Sequence, residues 1–243
     1  MQIYIWLAVI VFLAGFIKGL SGFASLLVAL PLLTIIIDIK TVVPFANMLA
    51  VYASIFLLIG LFKHFNWRDL SPILVGFFPG ILIGVFFLKT LNKDILQLIL
   101  GGVLIAYSAY SLFFEISLLI MKKIWAYFFG FISGILRGVI GAGGPPIIIY
   151  TSLQPWGKDK VKATLQGYLI VSGPITIFFH ACTGLVTGIV LKFFFISLPI
   201  FALGTYIGSH FYGTVSEKSY KRIILILLNL LGFFIIYKTI INQ

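Results

Sequence analysis

Acid is what this sequence has least of. Six Asp and Glu stand against 17 Lys and Arg in 243 residues, and the six (Asp38, Asp69, Asp94, Glu115, Asp159 and Glu217) all fall at or beside the ends of apolar segments. No carboxylate is left mid-segment to relay protons, as proton-coupled pumps commonly require. A single cysteine, Cys182, excludes an internal disulfide framework and any multi-cysteine metal site. Histidine, cysteine and carboxylate never cluster at metal-ligand spacing, no Ser-His-acid set is suggested by position, and no glycine loop ends in Lys-Ser/Thr as a nucleotide-binding loop would. The links between apolar segments are too short to hold a soluble catalytic or ATP-binding domain. The expectation is a protein that is not an enzyme and needs no cofactor or metal.

Apolar sequence is what the chain has in abundance. With 61% hydrophobic residues and a mean hydropathy of +1.19, it reads as an integral membrane protein. The net charge of +11 does not point to nucleic acid, because the cations lie mostly in the short links, where cytoplasmic loops carry them. Anionic lipid head groups are the expected neighbours there, and a homo-oligomer is compatible with this composition. The opening residues lack a basic stretch before their apolar run, so this segment reads as retained rather than cleaved. Trp6, Trp67, Trp125 and Trp156 fall at segment ends, as interfacial anchors do.

Two cations break the rule that charge stays in the links. Lys18 in Gly15-Phe-Ile-Lys18-Gly19-Leu-Ser-Gly22 and Arg137 in Gly134-Ile-Leu-Arg137-Gly138-Val-Ile-Gly141 occupy the same place in a glycine pattern repeated at an offset of 119 residues. Asn47 and Gln166 repeat at that offset too, and Gly80-x-x-x-Gly84 matches Gly204-x-x-x-Gly208. The chain therefore reads as a duplication, residues 1–119 and 120–243, and the paired glycines as helix-packing features.

Six windows have the length of a membrane helix: 42–62, 70–88, 95–114, 163–191, 193–212 and 223–241. Two apolar stretches, 3–37 and 124–153, are instead interrupted by glycine. In the first, each arm would measure about 22 Å as a helix, short of a hydrocarbon core of about 30 Å. In the second, Pro145-Pro146 marks the start of a new short helix. If each broken stretch returns to the side it entered from, the link cations divide ten to five. Lys63, Arg68, Lys122, Lys123, Lys158, Lys160, Lys162, Lys218, Lys221 and Arg222 then share one side, and Lys40, Lys89, Lys93, Lys192 and Lys238 the other. Eight simple spans would divide them nine to six. The positive-inside rule favours the first arrangement: an all-α polytopic protein of two inverted halves, each with three transmembrane helices and a re-entrant hairpin, both termini outside.

A helix that starts at a glycine break offers free N–H groups and the positive end of its dipole, a seat for an oxyanion. Ser21, Gly22 and Ser25 surround the first break, and Gly141, Gly143 and Gly144 the second. Lys18 and Arg137 add full charge, the arginine as a two-pronged donor and the lysine as a movable point charge. The competing reading has both side chains reaching for the interface. Asn47 and Gln166 either complete the ligand shell or bond helix to helix. His180 is the one titratable residue placed to relay protons, or else a structural hydrogen-bonding group. Transport down a gradient needs no relay.

The duplicated Gly-x-x-x-Gly-x-x-Gly entry, the Gly-Ala-Gly-Gly-Pro-Pro run at 141–146, Pro31 and the Pro79-Gly80-x-x-x-Gly84 step resemble the sulfite exporter TauE/SafE family of membrane permeases. The resemblance spans nearly the whole chain. It implies transport of small sulfur-containing or organic anions, such as sulfite, sulfonates or sulfoacetate, across a bacterial inner membrane.

Overall fold

A chain that lies in lipid must satisfy its own backbone, and helices do so within one segment. The computed structural model describes residues 2–21, 25–113, 121–211 and 217–241, and among them all regular structure is helical. The α-helices are α1 (Gln2–Ser21), α2 (Ser25–Thr34), α3 (Ile39–Leu61), α4 (Trp67–Thr90), α5 (Lys93–Phe113), α6 (Ile124–Ile140), α7 (Gly144–Leu153), α8 (Lys158–Cys182), α9 (Gly188–His210) and α10 (Glu217–Ile241). Six described helices are long and apolar enough to cross a membrane: Gln2–Leu20, Trp67–Thr90, Lys93–Phe113, Lys158–Cys182, Gly188–His210 and Arg222–Ile241. Large apolar side chains such as Val75, Phe86, Phe195, Tyr206 and Leu230 cover their outer faces, as lipid contact demands. This is a multi-pass membrane protein.

Local signals set the helix ends. Asn66 caps α4, its side chain accepting from the Arg68 amide at 2.9 Å. Thr187 caps α9 through the Val190 amide at 3.4 Å. Gly141 closes α6 at φ 73° with its N–H on the Arg137 carbonyl, a left-handed turn that suits glycine. The two prolines after Gly144 open α7, as the sequence indicates.

Two expectations require correction. The first arm of the N-terminal stretch is not short: α1 runs 20 residues, about 30 Å. Gly15 and Gly19 do not break it, because they serve as its contact surface with α9. The window 163–191 is not one helix either. It begins earlier, at Lys158, and stops at Cys182, where Gly184 turns left-handed (φ 78°) and the Leu185 amide bonds back to the His180 carbonyl at 2.8 Å. Hydropathy alone carried that window across a polar-poor turn.

Helix pairing follows an exchange of α1–α5 with α6–α10. α1 packs on α9 as α6 packs on α4, while α3 meets α8 and α5 meets α10. Some lesser contacts obey the same exchange, α3 with α9 and α8 with α4, α1 with α2 and α6 with α7, whereas α2 also packs on α10 and α5 without a comparable contact from α7. In the glycine seams Gly15, Gly19, Gly80 and Gly84 match Gly134, Gly138, Gly204 and Gly208, while Gly76 and Gly130 of the α4–α6 seam have Ile200 and Val11 in the corresponding places. A methyl group at Gly15 would overlap the Phe201 carbonyl, and one at Gly134 the Phe77 carbonyl; at Gly80 it would strike Phe131, at Gly204 Phe12. Glycine inside a helix costs about 1 kcal/mol against alanine, and here it lets backbones touch, the main way helices adhere in lipid.

The ends of the molecule can be read from contacts. Lys160 pairs with Asp69 at 2.7 Å and lies 4.5 Å over the Trp156 ring, so the start of α4, the end of α7 and the start of α8 share one end. α6 begins near it, with Gly130 against Ile73 of α4. α7 runs back beside α6, as the Phe129–Tyr150 ring contact at 5.8 Å shows. At the opposite end Lys40 bonds the Lys89 carbonyl at 3.0 Å, Lys238 the Ile35 carbonyl at 3.4 Å and Thr239 the Gln97 side chain at 3.1 Å.

Candidate functional site

The two unusual cations finish the two glycine-bearing helices. Lys18 lies in the last turn of α1 and Arg137 in the last turn of α6, and both are buried, at 1% and 0% exposure. They line one cavity of about 30 Å³, together with Ser25 at the start of α2, Gly141 and Gly144 around the start of α7, and Tyr168 of α8. That volume holds about one or two waters. Neither cation points to the surface, so the reading in which both reach for the interface is not what the fold adopts.

Their hydrogen bonds differ. The Lys18 ammonium reaches two helices, donating to Ser54 Oγ of α3 at 3.3 Å and to Gln166 Oε1 of α8 at 3.2 Å. Arg137 meets α8: Nε donates to Thr176 Oγ1 at 3.2 Å and the guanidinium sits 5.7 Å from the Tyr168 ring centroid. Its Nη2 is buried with no hydrogen-bond partner among the described residues. Tyr168 is held in turn by Ser133, its hydroxyl 2.6 Å from Ser133 Oγ, which also donates to the Gly143 carbonyl.

The remaining expected residues divide. Gln166 joins the group by accepting from Lys18. Gly143 packs behind Arg137 rather than on the cavity wall. Asn47 is buried beside the Gly141 turn, its Nδ2 donating to the Val43 carbonyl at 3.0 Å and its Oδ1 without a partner among the described residues. His180 lies 3.4 Å from the Gly138 carbonyl through Nε2 and is not on the cavity wall. Gly22 lies outside the described residues, and Ser21 is described only as the last residue of α1.

Sequence reasoning missed Ser54, Ser133, Tyr168 and Thr176. A signal was present on α8, where Tyr168, Ser172, Thr176 and His180 recur every fourth residue and so share one helix face. Ser172 and Thr176 also bond back along their own helix, to the Tyr168 carbonyl at 2.5 Å and the Ser172 carbonyl at 2.7 Å. That arrangement hides their polarity from lipid and aims the face inward.

Chemically, the cavity wall carries two cations, the hydroxyls of Ser25 and Tyr168 and otherwise apolar residues such as Leu26, Leu165 and Leu169, and the two charges are what would suit it to an oxyanion. No solved structure matches the chain. A protein of Cupriavidus necator, named "Probable sulfite/organosulfonate exporter TauE", is 26% identical over 190 residues, covering 76% of this chain and 74% of that one. The family model described as sulfite exporter TauE/SafE matches residues 7–235. Over almost its whole length, then, the chain belongs to the sulfite exporter TauE/SafE family, transporters of sulfur anions.

Proposed function

We propose that this protein exports small sulfur oxyanions or sulfonates by alternating access at the cavity between its halves. The observation that carries this reading is the convergence of Lys18 and Arg137 on one buried hollow. Backbone donors at the starts of α2 and α7 complete the shell around the anion, while Gln166 and Asn47, which are not on the cavity wall, act as partners of the two cations. The two halves, 1–119 and 120–243, are duplicated and inverted, and α1–α2 and α6–α7 are re-entrant. The antiparallel run of α7 beside α6 and the exchange-matched glycine seams support this. The end that carries Lys63, Arg68, Lys158 and Lys160 faces the cytoplasm.

The hydrogen bonds suggest how access alternates. Under the 119-residue offset, the counterpart of the Lys18–Gln166 bond is Arg137–Asn47. The first is made, while Arg137 Nη2 and Asn47 Oδ1 are both buried and unpaired. In the opposite-facing state Arg137 bonds Asn47 and Lys18 releases Gln166, so each half takes the posture of the other. Asn47→Leu is then expected to slow turnover roughly tenfold or more, as the loss of a hydrogen bond to a charged group of about 1.5–3 kcal/mol implies. Anion binding should change little. Turnover equal to the parent protein would remove this exchange from the mechanism.

The test of the function is flux in proteoliposomes over sulfite, thiosulfate, sulfonates and small carboxylates, with and without an imposed potential. Saturable flux of the sulfur anions is expected. Flux rising linearly with concentration would mark a passive channel, a reading that a cavity of about 30 Å³ does not favour. No flux at all would point to a lipid- or partner-binding protein instead.

A further inference from the structure

We infer that the cavity selects doubly charged oxyanions over singly charged ones and that Lys18 sets this preference, an inference that rests on the transport reading above. The argument is one of charge balance. Lys18 and Arg137 are both buried against the same hollow, and the acceptors they meet, Ser54, Gln166 and Thr176, are all neutral. None of the described acids lines the cavity. Asp69 is engaged by Lys160 at 2.7 Å, Asp159 lies 3.9 Å from His64, and Asp38 and Asp94 border a separate, open hollow at the other end of the molecule. The walls therefore bring two formal positive charges and no described negative one.

An unpaired ion held away from water costs several kcal/mol even after the protein relaxes. A ligand with one negative charge answers one cation and leaves the other uncompensated. A compact ligand with two answers both, and its oxygens can meet the free Nη2 of Arg137 on one side and the ammonium on the other. The geometry assigns the two cations different work. Arg137, a planar fork stacked against Tyr168 and fixed by Thr176, orients the oxyanion head that every candidate shares. Lys18 reaches the cavity from α1 as a compact point charge, held by Ser54 and Gln166. Removing it should change how many charges the site wants without removing the grip on the head.

Sulfate and methanesulfonate separate these properties. Both are tetrahedral at sulfur and similar in size, and one oxygen of the dianion is replaced by a methyl group in the monoanion. Uptake of labelled sulfate, thiosulfate and methanesulfonate into proteoliposomes would be measured for the full chain, Lys18→Gln and Lys18→Arg. The parent protein and Lys18→Arg are expected to favour the dianions by about tenfold or more, the modest end of what an unpaired buried charge costs. Lys18→Gln should reverse the order toward methanesulfonate. If Lys18→Gln fails to accumulate, competition in the parent protein decides: sulfate should block thiosulfate uptake at a concentration at least ~10-fold lower than methanesulfonate does. Equal transport of both ions by the parent, or a dianion preference unchanged in Lys18→Gln, would overturn the charge selection and leave the transport reading standing. Flux of none of these anions would overturn both.

Discussion

Arg137→Gln is expected to abolish most anion flux while the protein still reaches the membrane. The guanidinium is buried, lines the cavity, and keeps one nitrogen without a hydrogen-bond partner among the described residues, the position the proposed anion would fill. Truncating one side of a buried, hydrogen-bonded charge pair costs about 2–5 kcal/mol, or roughly 30-fold to several-thousand-fold in affinity. The fold loses little. Glutamine can still donate toward Thr176, and the change removes an ion whose burial opposes stability in the empty protein. Flux in proteoliposomes, set beside the elution profile of the detergent-solubilised variant, separates the two effects. Parental flux from Arg137→Gln would take this residue out of the site.

The second large effect concerns the glycine seams. Gly80→Leu and Gly204→Leu should each destabilise the protein severely, and to similar degrees, because they are exchange counterparts. At both positions the added side chain meets a carbonyl of the facing helix, Phe131 in one case and Phe12 in the other. Backbone cannot step aside as a flexible side chain can, so α4 must part from α6, or α9 from α1. Overpacking typically costs 1–3 kcal/mol and occasionally more, and a backbone clash belongs to the upper part of that range. Gly102→Leu is the control, since nothing lies within 4 Å of a Cβ there. Thermal unfolding in detergent should place both seam variants well below the parent and Gly102→Leu close to it. If Gly80→Leu were as stable as Gly102→Leu, the seam would not hold the bundle together.

Much of the fold and part of the site could be read in the sequence, and the misses have physical reasons. Lys18 and Arg137 stood out because charge inside an apolar stretch is expensive, and the structure brings them to one hollow. The start of α7 was legible because Pro145-Pro146 signals a helix start, while the apolar windows at 70 and 95 began three and two residues inside α4 and α5. The length of α1 was not legible. Glycine in a membrane helix either breaks it or packs it, and only the partner, α9, distinguishes the two. The end of α8 was hidden for a related reason: Gly184 acts through its backbone angle, which hydropathy does not register. Thr176 was marked only by the polar face it shares with Tyr168, Ser172 and His180 on α8, and Ser54 escaped notice because a lone hydroxyl in an apolar window carries no address. Its significance appears only when the residue it meets, Arg137 or Lys18, is known.

The crossed pairing of the helices also bears on how the chain is made. α1 leaves the ribosome first, yet the surface its glycines fit belongs to α9, which cannot emerge until residue 210 has been added. At about 5–20 residues per second, that interval lasts roughly ten to forty seconds. Throughout it, the small-residue stripe of α1 is without the helix it packs against. A gene split between the halves should thus yield no stable fragment until both pieces are synthesised together.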